Sequence, residues 1–177
     1  MTTSRPVHLT VALLLAVPPL GAQATAPMPG GYAPSVELGG LIDHPARLDS
    51  AALARLPATE LMMADGHAAS ADSARYRGVL LWELIRQAGP QVDSARKGDL
   101  LRHFVVVTGS DGYQVTVAVG EILPDYAAQP VLLVWLRNGE PLDGAHGMAQ
   151  LLVPGDRRRS RSVHNVARIE FQAPAGP

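Results

Sequence analysis

The sequence predicts an α+β domain in which strands outnumber helices, and three observations carry that prediction. Apolar, largely β-branched runs recur at residues 104–107, 131–136, 151–153 and 166–171. Tyr113, Val115, Val117 and Val119 alternate with Gln114, Thr116 and Ala118, the period of a half-buried strand. Turn signals separate these runs, with Asn138-Gly139 the strongest short hairpin signal among them. The chain has 177 residues, 47% of them hydrophobic, and a formal net charge of −1. That composition suits a globular domain rather than a disordered one. Its near-neutral balance gives no footing for nucleic acid or an anionic membrane surface as partner.

The elements follow in order. Arg5 and His8 precede an apolar run over 9–17, then Pro18-Pro19 and Ala22-Gln23-Ala24. A basic start, a short apolar core and an Ala-x-Ala ending mark residues 1–24 as a cleaved signal peptide. The run is about half the length of a membrane span, so none is expected after cleavage. Pro6 follows Arg5, which leaves no twin arginine and favours the general secretion route to a periplasmic or secreted location. An exported chain without cysteine is held by packing alone. Residues 25–34 are rich in Pro and Gly and read as a flexible leader. One domain follows, over 35–173.

Within it, 36–38 is a short strand stopped by Gly39-Gly40, and Asp49 caps a helix that ends at Pro57. Residues 59–63 form a strand, and 64–74 are small and polar, hence a loop. Tyr76-Arg77-Gly78-Val79 leads into a helix with Leu80, Leu81, Leu84 and Ile85 on one stripe, closed by Gly89-Pro90. The run 104–107 reads as a strand buried on both faces, with a turn at Ser110-Asp111-Gly112 after it. Strands at 131–136, 151–153 and 166–171 complete one mixed sheet with short flanking helices.

Five segments come in a fixed order. They are residues 76–85 (Tyr76-Arg77-Gly78-Val79 onward), the Thr108-Gly109-Ser110-Asp111-Gly112-Tyr113 turn, Asn138-Gly139-Glu140-Pro141-Leu142, Leu151-Leu152-Val153-Pro154-Gly155 and residues 161–170. Over 36–171 this order resembles the oxidoreductase molybdopterin-binding domain of the sulfite oxidase family, in particular its short exported bacterial members. The resemblance implies that family's α+β fold, a molybdopterin cofactor and oxidation chemistry on a small oxyanion or sulfoxide, with a redox partner protein taking the electrons.

The same resemblance locates departures. A cysteine in the loop before the Tyr-x-Gly-Val segment ligates molybdenum in the family, whereas this chain has no cysteine. The polar residues of that loop are Asp65, His67, Ser70, Asp72 and Ser73, none a soft thiolate donor. Gln150 stands where an arginine is usual, His164 where a lysine is usual, and Asn165 where tryptophan is common.

The family's pterin-facing loop is matched here by Asp143-Gly144-Ala145-His146-Gly147, which makes His146 a cofactor-binding candidate. Arg157, Arg158, Ser162 and His164 join it on the terminal motifs. Arg157-Arg158-Arg159-Ser160-Arg161 brings four arginines into five positions, and forked guanidinium groups suit a phosphate or carboxylate.

No residue presents itself as catalytic. Gly109-Ser110-Asp111-Gly112 is not a nucleophile elbow, because it joins two strands rather than a strand and a helix. His8, His44, His67, His103, His146 and His164 show no zinc-ligand spacing, so no metal site is expected from them. Two readings stand side by side: an exported relative of sulfite-oxidase-type oxidoreductases lacking the metal-ligating cysteine, or a non-catalytic module binding a small anion or a partner protein.

Overall fold

A computed structural model of the chain describes residues 30–64, 73–142, 144 and 146–175. The expected signal peptide and Asp65, His67, Ser70, Asp72 and Asp143 lie outside the described residues. The strands in chain order are β1 (Val36–Gly40), β2 (Ala46–Leu48), β3 (Thr59–Ala64), β4 (Ser73–Leu80) and β5 (Phe104–Gly109). They continue with β6 (Gln114–Ala118), β7 (Leu132–Arg137), β8 (Glu140–Pro141), β9 (Gln150–Leu152) and β10 (Val166–Gln172). The α-helices are short: α1 (Ser50–Ala54), α2 (Leu81–Gln87) and α3 (Val119–Ile122). The α+β class, dominated by strands, holds.

The strands divide between two sheets instead of completing one. The first runs β2-β1-β10-β5-β6, and the second runs β3-β4-β7-β8 with β9 also on β7. β1 lies parallel to β10, a pairing of residues 131 positions apart (Glu37 with Arg168) that no local pattern announces. One buried cluster joins the sheets, with Val36, Val105, Val117, Ile169 and Phe171 from the first and Val79, Leu133, Trp135 and Leu151 from the second. Burial of this kind, at about 25 cal/mol per Å² of apolar surface, is the main term holding a chain without disulfides.

A smaller cluster of Ala74, Tyr76, Leu132, Val134 and Leu152 forms on the opposite face of the second sheet. Period-two alternation along β7 sends Leu133 to one cluster and Leu132 and Val134 to the other. The run 131–136 is therefore buried on both faces, whereas β5 is not. In β5, Val105 and Val107 are fully buried but Phe104 and Val106 only half so, because the outer face of the first sheet is partly open.

Local chemistry accounts for the element ends. Asp49 caps α1, its carboxylate accepting from the Ala52 amide at 2.8 Å. Asn138 (φ 53) and Gly139 (φ 88) take the two left-handed positions of the β7–β8 hairpin, as Asn-Gly favours. Leu80 does not join the helical stripe. It ends β4 and packs on the smaller cluster, while Leu81, Leu84 and Ile85 form the buried side of α2.

The leader also differs from expectation over its described end. The Gly30 amide donates to the Ser110 carbonyl at 3.2 Å, and the Ala33 amide donates to Asn165 Oδ1 at 3.0 Å. Ala33 is buried, so residues 30–34 belong to the fold.

Candidate functional site

The terminal motifs meet because Val163 pairs with Leu151, their backbones exchanging hydrogen bonds of 2.8 and 3.2 Å. This brings the residues after Val163 against the turn that precedes β9. His164 and His146 are thereby stacked, with ring centroids 4.8 Å apart and planes at 22°. Two of the predicted site residues are thus in direct contact. His146 also lines a cleft of about 250 Å³ with Arg137, Glu140 and Leu142, at the β7–β8 hairpin.

Asn165, which in sequence stands out only as a departure from the family's tryptophan, builds that corner. It sits at φ 47, a left-handed conformation that Asn tolerates better than other L residues. Its backbone amide donates to the His146 carbonyl at 2.7 Å. Its side-chain amide donates to the Gly31 carbonyl and to Ser110 Oγ, while its Oδ1 accepts from Ala33. One side chain therefore ties the chain's early residues, the β5–β6 turn and the histidine pair together. Gly147 (φ 73) is required beside it, because a Cβ there would meet Asn165 Cα at 2.5 Å. The signal in the sequence was the small amide in place of an indole.

The arginine loop is only partly available for a ligand. Arg161 is bound on both sides of its fork by Asp156, at 2.8 and 2.7 Å, and by Glu121 at 2.9 Å. Its hydrogen bonds to Asp156 and then Glu121 raise an already high guanidinium pKa further. The same bond from Arg161 holds the Asp156 carboxyl below the usual carboxylate range. Arg159 donates to the Ala64 carbonyl, and Tyr113 Oη donates to the Ser160 carbonyl at 2.6 Å.

These contacts fasten the 3-10 turn Arg159–Arg161 against β3, α3 and the β5–β6 turn. Ser162 closes that turn, its amide donating to the Arg159 carbonyl at 2.9 Å. Arg157 and Arg158 remain exposed and make no hydrogen bond or ion pair with a described residue. Of four arginines in the run, two are structural and two are presented to solvent.

Gln150 is the unusual residue of the second sheet. It lies opposite Val134, only 5% exposed, and its Oε1 is buried without a hydrogen-bond partner. A buried, unpaired acceptor costs about 1–3 kcal/mol. Gln150→Leu is therefore expected to be neutral or to stabilise by about 1 kcal/mol in urea unfolding. A clear loss of stability in that variant would mean that the amide carbonyl is satisfied in solution.

His103, by contrast, is a core residue. It stacks on Phe171 at 4.8 Å, and its Nδ1 donates to the Asp99 carbonyl at 2.9 Å. Among the described residues no group of three His, Asp or Glu side chains is placed to hold a metal ion.

Comparison with known proteins agrees with this architecture. The sulfane dehydrogenase SoxCD from Paracoccus pantotrophus is similar in structure, with a TM-score of 0.60 at 22% identity. The likeness covers 80% of this chain and 39% of that one, so this chain spans well under half of that chain's length. No curated protein matches the chain. Over residues 33–175 the sequence matches the model of the oxidoreductase molybdopterin-binding domain, and the chain belongs to that family.

Proposed function

We propose that this chain is an exported member of the family that binds a small anion and does no molybdenum redox chemistry. The observation that carries this reading is the absence of any cysteine. A metal held in the family's manner needs a soft sulfur donor, and oxygen or imidazole groups are different ligands. The donor set does not fit in a second respect. Gln150, at the position where the family places an arginine, is a neutral amide with an unpaired carbonyl rather than a cation for a phosphate. No step through molybdenum can be written with these residues.

What supports an anion site is the combination of Arg157 and Arg158, exposed and unpaired among the described residues, with the fastened turn beneath them. A rigid base lowers the entropy lost when guanidinium groups close on an oxyanion. His146 and His164 stack at the other end of the same terminal motifs and supply imidazole donors.

Protein purified from its own host's export compartment tests the first half of the reading: it should hold less than about a tenth of an equivalent of molybdenum per chain. One equivalent would overturn it. Pyrophosphate should raise the melting temperature by a few degrees when it is well above its Kd. Replacing Arg157 and Arg158 together by Ala should remove that rise and leave the ligand-free melting point unchanged. Arg159 stays in place in this test, because its bond to Ala64 makes it structural.

A further inference from the structure

The second sheet extends beyond the shared core, and its inward face there forms a second cleft of about 440 Å³. β4 runs along the middle of this cleft, with β3 on one side of it and β7 on the other. Arg75 and Arg77, two residues apart on β4, project from the same face. Glu60 and Met62 stand beside them on β3, and Leu136 flanks Arg77 from β7, next to the 138–139 turn.

The charges in this cleft do not cancel. Glu60 lies directly across from Arg77 in the β3–β4 ladder, yet its carboxylate is drawn diagonally to Arg75 at 4.0 Å. Both partners of that pair are more than half exposed, so the pair is weak. The Arg77 guanidinium makes no hydrogen bond or ion pair with a described residue. One guanidinium therefore stands unbalanced beside an apolar surface.

That surface is itself unusual. Met62 is 57% exposed although it lies on a strand, and Leu136 is only partly covered by the core. A register shift between Arg77 and Gly78 gives β7 one extra residue, so Trp135 and Leu136 both turn toward the core side. Leu136 reaches the cleft for that reason. The volume lies within the ordinary range for small-molecule sites and exceeds what a bare oxyanion fills.

We propose that this cleft binds a small organic acid, with its carboxylate forked by Arg77 and its apolar body lying between Met62 and Leu136. Arg75 adds a second cation within reach of the same head group. The site is separate from the Arg157–Arg158 loop, and it stands whether or not that loop binds an anion.

Titration of the full chain with benzoate, acetate and inorganic phosphate, followed by two-dimensional amide NMR, tests the proposal. Benzoate should give saturable shifts at the amides of Met62, Arg77 and Gly139, with a Kd on the order of 1 mM. Acetate and phosphate should bind there at least about tenfold more weakly, because they leave the apolar wall uncovered. Arg77→Gln should weaken benzoate about tenfold or more, and Met62→Ser about threefold. Both side chains are exposed, so each variant should otherwise keep the parent spectrum. Replacing Arg157 and Arg158 by Ala should leave benzoate binding unchanged. The proposal is overturned if benzoate binds no tighter than acetate, or if Arg77→Gln has no effect. Shifts confined to residues 157–164 would overturn it as well.

Discussion

Gly78→Ala is expected to be the most damaging small substitution in the chain, lowering stability by about 3 kcal/mol or more. Gly78 is buried in β4, which is flanked by β3 on one side and β7 on the other. A Cβ there would fall within contact distance of the Leu133 carbonyl oxygen and 2.6 Å from Val134 Cα. Those neighbours are backbone atoms of a paired strand and cannot swing aside as a side chain could. The ladder has its register shift at this point, so the close approach and the bulge are one feature.

Urea unfolding should show a lower midpoint with an unchanged slope. Gly139→Ala is the control. Its φ of 88 costs about 1–2 kcal/mol in any L residue, but a Cβ there meets nothing within 4 Å. If the two variants lose the same stability, the β4–β7 spacing can relax and the steric argument is wrong.

Gly78 also shows what a sequence can and cannot disclose. Its neighbours Tyr76 and Val79 mark the segment as ordered, and the helix after it is announced by Leu81, Leu84 and Ile85. Nothing nearby reveals that the segment is an eight-residue strand paired on both sides, because its second partner, β7, begins some fifty residues later. Local chemistry was legible throughout: the Asp49 cap, the Asn138-Gly139 hairpin, the Ser110-Asp111-Gly112 turn. Each is decided within a few residues.

The division into two sheets was not legible, because it depends on β1 finding β10 across the whole chain. The candidate site divides in the same way. His146 and His164 were both singled out, and their stacking follows from the Leu151–Val163 pairing that sets their distance. Arg157 to Arg161 read as one basic run. Only the positions of Asp156 and Glu121 separate Arg161 from the two exposed members. The cleft at Arg77 was hidden for a related reason. Period two places Arg75 and Arg77 on one face, but a single extra residue in β7 brings Leu136 onto that face beside Arg77.

Arg161→Met should cost about 1–2 kcal/mol at pH 7 and less in acid. Met keeps an apolar side chain in place of the arginine stem, so the loss reports the charged head group. Arg161 is about one-third exposed and joins two acidic side chains, Asp156 through a two-pronged contact and Glu121 through one. Removing it leaves both carboxylates near each other without their shared cation.

The pH dependence follows from Asp156, whose carboxyl is held below its ordinary value by the Arg161 hydrogen bonds. A carboxyl depressed in the folded state contributes its full stabilisation above the unfolded pKa of about 3.9. That contribution is lost as the pH falls from there through the lower folded value. The gap between parent and Arg161→Met should therefore narrow between about pH 5 and pH 3 in urea unfolding. An equal gap at both ends of that range would show that Arg161 acts by packing alone. The turn it fastens would then owe its shape to Tyr113 and Arg159, and the exposed pair at Arg157 and Arg158 would keep its base even in acid.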